Sequence, residues 1–206
     1  MLFRSRIALA PSAAFQLGAQ NRTALPAYDV VWVARTDQER ANDLAETAAR
    51  LSSQAAEKYE LPPFADGIEM HYAVKHRPPT VLLTDWSSLF CENVQNRNAV
   101  KTLAFDALSR VYLQRAIYML SQGSVAVTDR LHAHILCVLM GVPHVFLNSQ
   151  SGKNWNFYES WTRESPLCRL ASSPAEGWTL ARAAAARLKD MGDSAKDWSW
   201  TQLAAG

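Results

Sequence analysis

The chain lacks the features that mark several large classes of protein. Its three cysteines, Cys91, Cys137 and Cys168, are far apart and include no Cys-x-x-Cys pair. A disulfide framework or a zinc ribbon is therefore not indicated, and we expect buried free thiols. Neither sign of charge is in large excess: the chain has 21 Lys and Arg and 19 Asp and Glu, which gives a net charge of +2. So small and dispersed an excess argues against nucleic acid as a partner.

Long apolar runs are missing as well. The longest candidate, residues 135–142, is far shorter than the roughly 20 residues that a membrane-spanning helix needs, so we expect no membrane span in this chain. The N-terminal segment imitates a signal peptide only faintly. Hydrophobic residues nevertheless make up 49% of the 206 residues, which is ample for a core. We expect one globular domain over residues 1–206, with residues 192–206 as a loosely held tail.

Short apolar strands alternate with stretches long enough to form helices. Strand patterns occur at residues 7–10, 30–34, 81–84, 125–128 and 145–147, and an edge strand is expected at 167–170. Helical patterns occur at residues 38–59, 98–120, 131–140, 157–162 and 174–191, and a proline-rich surface excursion is expected at 62–79. This alternation is typical of an α/β fold with a doubly wound, mainly parallel, Rossmann-like sheet.

Residues 125–148 concentrate polar groups between two apolar elements. Asp129 and Arg130 follow a buried strand, and His132 and His134 lie at the start of an apolar helix that Gly141 ends. The start of a helix presents free backbone N–H groups and the positive end of the helix dipole. The pattern therefore indicates an anion site at this junction.

A polar or charged residue also follows each of the other predicted strands. These residues are Ser12, Arg35 with Asp37, Asp85, and Asn148. Because the carboxyl ends of parallel strands share one edge, where open α/β sheets bind ligands, we expect the side chains to converge there. Each one alone is also explained as a helix cap or a solvated turn.

Three cations are expected at this edge. Arg35, Arg130 and Lys153 would form a cluster among apolar and aromatic groups, which suits a small, multiply charged anion. Two alternatives remain open: Arg35 forms an ion pair with Asp37 or Asp129, or Lys153 is a solvated loop charge.

The two histidines of the motif are expected to have different roles. Positions two apart on a helix point about 200° away from each other, so only one of them faces the ligand. We expect His132 to be the general acid or anion ligand and His134 to pack internally or to bond a backbone carbonyl. If the segment were a strand, both histidines would share a face and bind a metal together with Asp129, as in a metal-dependent hydrolase. The apolar run that follows favours the helix, so no metal is expected.

Several segments in order resemble the polysaccharide pyruvyl transferase family. They are Ala10-Pro-Ser-Ala-Ala-Phe-Gln-Leu-Gly18, Val33-Ala-Arg-Thr-Asp-Gln-Glu39, Thr128-Asp-Arg-Leu-His-Ala-His-Ile-Leu136, Leu139-Met-Gly-Val-Pro-His144, Gly152-Lys153 and Phe157-Tyr-Glu-Ser-Trp161. The resemblance implies the C-terminal half of a GT-B fold. It also implies transfer of a pyruvyl group from phosphoenolpyruvate to a sugar of a polysaccharide or glycoconjugate, as a ketal. Phosphoenolpyruvate is then the donor substrate, and no cofactor is expected.

Under this resemblance the predicted site has one catalytic residue, His132, as proton donor or phosphate ligand. The predicted substrate-binding residues are Arg35, Asp129, Arg130, Asn148 and Lys153. The chain departs from the family at Ala133, where Gly is common, and at Asn148-Ser-Gln-Ser151, where the family has Asp-Asn-Ser-Tyr.

The resemblance also bears on partners and place. A separate N-terminal half is a candidate partner, because the family's Gly-rich opening half has no counterpart here, and the lone half is expected to be weak or inactive. An alternative is a non-catalytic glycan-binding module, since Trp155, Phe157, Tyr158 and Trp161 could stack on a sugar or simply pack in the core. The compartment is left open: the cytoplasm for a bacterial-like protein, the Golgi lumen for a eukaryotic one.

Overall fold

The structure is a computed structural model that describes six segments of the chain. They are residues 11–35, 57–58, 71–74, 81–84, 101–192 and 198–200. Within them, the backbone alone is described for residues 57–58, 71–74, 83–84 and 101–108. The strand predicted at residues 7–10, most of the helix predicted at 38–59, and the polar residues Asp37 and Asp85 lie outside the described residues.

A seven-stranded sheet forms the centre of the described structure. Its strands are β1 (Tyr28–Val33), β2 (Glu57–Lys58), β3 (His71–Val74), β4 (Val81–Thr84), β5 (Gly123–Thr128), β6 (His144–Leu147) and β7 (Cys168–Ala171). They lie side by side in the order β2-β3-β4-β1-β5-β6-β7. The five neighbours from β4 to β7 are parallel, and β3 and then β2 are added antiparallel at one edge. The predicted mainly parallel sheet is confirmed.

The antiparallel edge corrects two predictions. The helix predicted at residues 38–59 is wrong at its end, where Glu57–Lys58 form β2. The excursion predicted at residues 62–79 contains β3, which pairs along β4 from His71 opposite Thr84 to Val74 opposite Val81. Local preferences are weak in segments this short, and the unpaired edge of β4 offers backbone hydrogen bonds that override them.

Helices connect and cover the strands. In the described part of the chain they are α1 (Lys101–Ser121), α2 (Leu131–Met140), α3 (Lys153–Phe157) and α4 (Pro174–Met191). A π-helical turn, Tyr158–Thr162, continues α3, and a 3₁₀ helix, Ala13–Leu17, precedes β1. None of the helices described is long and apolar enough to cross a membrane.

The bounds of α2 and α4 agree with the prediction because both helices have strong end signals. Gly141 ends α2 with a φ of 66°, a left-handed conformation that glycine adopts without strain. Ser173 caps α4, since its Oγ accepts a hydrogen bond from the Glu176 N–H at 3.2 Å, and Pro174 occupies the first turn.

Alternate residues of the central strands face two separate cores. Val31, Val33 and Ala126 pack with residues of α1 and α2 on one face. Val30 and Trp32 pack with alanines of α4 on the other. Because helices cover both faces, the fold is the expected doubly wound, Rossmann-like one.

Two tryptophans of the segment predicted as a loosely held tail lie among the residues that the structure describes. Trp198 and Trp200 are buried in the core that α4 covers. Trp200 Nε1 also donates a hydrogen bond to the Leu167 carbonyl at 2.9 Å. Two large aromatic side chains have enough apolar area to hold a terminal segment against the domain.

Candidate active site at the carboxyl edge of the sheet

The carboxyl ends of β1 and β5 form the switch point of the sheet. After β1 the chain continues on one side, through β4, and after α1 it returns on the other side, as β5. Neighbouring loops therefore leave the edge in opposite directions here, which is where open α/β sheets bind ligands. The predicted residues Arg35, Asp129 and Arg130 lie at this point.

Side chains of β5 hold the two strand ends together. Thr128 Oγ1 donates to the Val33 carbonyl at 2.7 Å, and Asp129 Oδ1 accepts from the backbone N–H of Arg35 at 2.9 Å. Asp129 is fully buried. Its carboxylate is thus placed to position the loop that carries Arg35.

Arg130 occupies the cap position of α2. Its backbone N–H donates to Thr128 Oγ1 at 3.0 Å, and its carbonyl accepts from the His134 N–H at 3.0 Å. The side chain of Arg130 itself makes no capping hydrogen bond, and the first backbone N–H groups of α2 have no partner within the helix. Nε and Nη2 of Arg130 are shielded from solvent. Positive charge and helix dipole therefore coincide at one place.

His132 and His134 point in different directions, as expected for a helix. His132 is exposed, whereas His134 is fully buried. The alternative in which Asp129, His132 and His134 share a strand and bind a metal is wrong, because residues 131–140 are helical.

The end of β6 is joined to the same edge through a residue that sequence reasoning missed. Nδ2 of the buried Asn154 donates to the Asp129 carbonyl at 2.7 Å and to the Leu147 carbonyl at 2.9 Å. Its Oδ1 is buried and has no hydrogen-bond partner among the described residues. The signal available in the sequence was an Asn in the first turn of a helix, a position more often explained as capping.

Asn148 and Lys153 lie beside this link. Asn148 is half-buried, and its Oδ1 accepts from the backbone N–H of Trp155 at 3.1 Å. Lys153 is exposed as the first residue of α3, after Gly152 with a φ of 74°. The hydrogen bonds of Asp129 and Asn154 thus bring the loops of all five predicted binding residues to one edge. Ser12, by contrast, caps the 3₁₀ helix through Ala14.

The aromatic residues after the edge divide into two groups. Phe157 is packed, stacking on Phe15 at a centroid distance of 6.4 Å and meeting His134 edge-on at 5.8 Å. Trp155 and Trp161 are 49% and 44% exposed. Phe157 and Tyr158 are half-buried, so Trp155 and Trp161 present more of their surface to a ligand.

A buried histidine pair was also missed. His144 Nδ1 lies 2.8 Å from the Val142 carbonyl, which only accepts, so Nδ1 carries the proton and Nε2 is an acceptor. His134 Nδ1, 2.8 Å away, must then donate to it, and His134 Nε2 accepts from Thr162 Oγ1 at 3.0 Å. Burial lowers the pKa of His144 to about 4, with the Val142 hydrogen bond acting against it. Burial, and then the charge of His144, lowers the pKa of His134 well below its usual range.

Comparisons with known proteins point to one family. A family model described as "Polysaccharide pyruvyl transferase" matches residues 7–151, which is more than half of the chain. The chain is 42% identical over 59 residues to "Pyruvyl transferase 1" of Schizosaccharomyces pombe, a match covering 28% of this chain and 15% of that protein. It is 32% identical over 82 residues to "Putative pyruvyl transferase EpsO" of Bacillus subtilis, covering 38% and 26%. The chain therefore matches only about a quarter or less of either relative.

Proposed function

The chain belongs to the polysaccharide pyruvyl transferase family, and we propose that it binds phosphoenolpyruvate at the carboxyl edge and transfers its pyruvyl group to a sugar. The observation that carries the proposal is the start of α2, where Arg130 occupies the cap position and its own side chain makes no capping hydrogen bond. Asp129 links this helix start to the loop of Arg35. We assign both arginines and the helix dipole to binding of the anion.

The charge of phosphoenolpyruvate suits such an edge. A phosphate and a carboxylate on three carbons carry about three negative charges near neutral pH. Arg35 and Arg130 offer forked donors that match both groups, and Lys153 adds a flexible positive charge. In this assignment the start of α2 binds the phosphate through its N–H groups.

The proposed reaction adds a proton to the methylene carbon of phosphoenolpyruvate and two sugar hydroxyls to the carbon next to it. Protonation of the methylene carbon leaves an oxocarbenium-like centre at the second carbon. One sugar hydroxyl adds to that centre and loses its proton, and a second hydroxyl of the sugar then displaces phosphate. The products are a cyclic ketal and inorganic phosphate, with no change of oxidation state overall.

His132 is the proposed proton donor. It is exposed in the first turn of α2, next to Arg130. Imidazole is the side chain most often used as a general acid, so a histidine at this place can deliver a proton to the substrate. Asn148 and Lys153 are assigned to substrate binding, and Asp129 to holding the loop of Arg35 in place.

A direct assay tests the reaction. The full chain, alone and with any encoded N-terminal half, is incubated with phosphoenolpyruvate and glycans that contain galactose or amino sugars, and phosphate release is followed. We expect release that depends on the glycan, and its absence in both preparations would overturn the proposal. The second half is included because GT-B proteins form their sites between two Rossmann-like halves.

His132→Ala tests the assigned donor. We expect phosphate release to fall about 100-fold or more, within the range for loss of a general acid, with an unchanged circular dichroism spectrum. Arg182→Ala is the matched control, because Arg182 is an exposed residue of α4 on the opposite face of the sheet. A His132→Ala variant that retains full activity would remove this residue from the reaction.

A glycan-binding module without catalysis is the second candidate function. The exposed rings of Trp155 and Trp161 favour it, since such faces stack on sugars. Calorimetry separates the two: binding of glycan without binding of phosphoenolpyruvate supports the module, and binding of phosphoenolpyruvate that is lost on removal of the arginines supports the transferase.

A further inference from the structure

Three donor atoms that suit a thiophilic metal lie close together in the buried space between α2 and the strands β6 and β7. They are His134 Nδ1 on α2, His144 Nε2 at the start of β6 and Cys168 Sγ at the start of β7, and they all lie within 4.8 Å of one another. His134 Nδ1 is 2.8 Å from His144 Nε2 and 3.6 Å from Cys168 Sγ. We call these residues the His–His–Cys cluster.

Each imidazole of the cluster is oriented through its other nitrogen. His144 Nδ1 donates to the Val142 carbonyl, and His134 Nε2 lies 3.0 Å from Thr162 Oγ1. A second partner of this kind, a carbonyl or an oxygen that accepts the remaining N–H, is what metal-bound histidines nearly always have. The arrangement aims His144 Nε2 and His134 Nδ1 at the same point.

One proton shift makes both facing nitrogens available. In the hydrogen-bonded pair the His134 proton is on Nδ1. Moving it to Nε2, with Thr162 Oγ1 as acceptor, leaves a lone pair on Nδ1 that faces the lone pair of His144 Nε2. Thr162 meets this change by rotation of its hydroxyl, so the backbone need not move.

Two of the three ligand distances fit a tetrahedral ion after a small opening of the histidine pair, and the third, from His144 Nε2 to Cys168 Sγ, lies within 4.8 Å and must come to about 3.6 Å. Ligand distances of about 2.05 Å for nitrogen and 2.3 Å for sulfur place N and S ligands about 3.6 Å apart and two N ligands about 3.4 Å apart. The observed His134–Cys168 spacing already has the first value, and the two imidazoles must separate by about 0.6 Å to reach the second.

We propose that the His–His–Cys cluster binds one Zn²⁺ through His134 Nδ1, His144 Nε2 and Cys168 Sγ. The thiol proton of Cys168 is released to solvent when the bond to the metal forms. Two imidazoles and a thiolate are typical zinc ligands, whereas Mg²⁺ and Ca²⁺ require oxygen. The described residues add no fourth His, Cys, Asp or Glu to the group, so we assign the fourth position to a water molecule.

The site would tie three elements together away from the carboxyl edge. His144 and Cys168 are paired residues at the starts of β6 and β7, and His134 connects them to α2. Thr162 adds the end of the π-helical turn through its hydrogen bond. The role is therefore structural, and it does not depend on the function proposed for the carboxyl edge.

Cobalt spectroscopy of the metal-free full chain tests the site. We expect one equivalent of Co²⁺ to give intense tetrahedral d–d bands and a near-ultraviolet sulfur-to-cobalt band, and one equivalent of Zn²⁺ to remove both. Weak octahedral bands without the sulfur band would overturn the proposal, because they would mean that the polar cluster closes on itself and excludes metal.

Matched variants assign the ligands. Cys168→Ser should abolish the sulfur band, whereas Cys137→Ser, which changes a buried thiol on α2 outside the cluster, should retain it. His144→Asn should lose the tetrahedral spectrum, and exposed His132→Asn should keep it. Thr162→Val should weaken Zn²⁺ binding roughly 10- to 100-fold, as the loss of an outer-shell partner does. A sulfur band that persists in folded Cys168→Ser would count against the assignment.

Discussion

The carboxyl edge and the His–His–Cys cluster are both polar, but the protein treats their polar groups in opposite ways. At the edge, buried Asp129 and Asn154 bind backbone groups of neighbouring loops, next to the start of α2, where Arg130 occupies the cap position. In the cluster, the side chains bind one another and burial keeps both imidazoles neutral. His132 and His134 are two residues apart on α2, yet they belong to different regions.

The difference shows how one helix serves two purposes. The residue spacing of α2 sends alternate polar side chains to opposite sides, so His132 faces solvent while His134 faces β6. A charge is tolerated only where water or a ligand can solvate it. We therefore assign the anion to the edge, whereas the metal-free cluster holds neutral donors.

The largest expected effect is on ligand binding at the edge. Arg35→Ala combined with Arg130→Ala should weaken phosphoenolpyruvate binding about 1000-fold, since two charge-assisted contacts are each worth about 1.5–3 kcal/mol. Calorimetry measures this, with Arg182→Ala as control. Unchanged affinity in the double variant would mean that the two arginines do not bind phosphoenolpyruvate. The edge would then not differ from the cluster as a site for an anion.

Acid should act on the cluster in the metal-free protein. His144 has a folded pKa of about 4, below the ordinary 6.5, so between these values the unfolded chain binds a proton that the folded chain does not. The contribution of His144 to the free energy of unfolding should therefore be constant above pH 6.5. It should fall as the pH drops from 6.5 toward 4, and it should be constant again below pH 4. The whole change is on the order of 3 kcal/mol.

Urea unfolding at a series of pH values measures this effect, with His144→Phe as the comparison. This variant should show a flatter profile between pH 6.5 and 4, because its side chain does not titrate. An identical slope in the two proteins would show that other groups cause the acid loss.

Two substitutions on α2 compare the regions directly. His134→Ala should lower the free energy of unfolding by about 2–3 kcal/mol, because it leaves a cavity and removes the partners of His144 and Thr162. His132→Ala should change it by less than about 0.5 kcal/mol, as for other exposed positions. Equal effects, measured by urea unfolding, would contradict the difference in burial.

Asn154→Ala should have an intermediate effect on stability, about 2 kcal/mol, because two buried backbone carbonyls lose their donor. Thermal unfolding measures it. Asn156→Ala is the control, since Asn156 is an exposed neighbour on the same helix. If the two variants melt alike, Asn154 does not join the ends of β5 and β6.

Local signals predicted most of the parallel layer. The apolar runs of β4 and β5 and the end signals of α2 and α4 are contained in neighbouring residues, so their positions follow from spacing and capping alone. The antiparallel edge did not follow, because β2 and β3 are too short to have a clear pattern and exist through pairing with β4. The burial of Trp198 and Trp200 did not follow from the sequence, because their partners lie far away along the chain.

For the candidate site, the residue types and their order after each strand were enough to name one edge. The sequence could not show that Asp129 is buried and bound to the Arg35 backbone, or that Asn154 joins two strand ends. Such contacts depend on the exact separation of loops, which no local pattern contains.

By itself the sequence determined the alternation of strands and helices, the charged residues that follow the strands, and the family to which the chain belongs. Only the tertiary structure decided which polar groups face water and which face one another. His134 and His144 illustrate the reason: they become partners because α2 folds back over β6, and burial then removes their charge. Hydrophobic periodicity sets the elements, whereas solvation is a property of the assembled molecule.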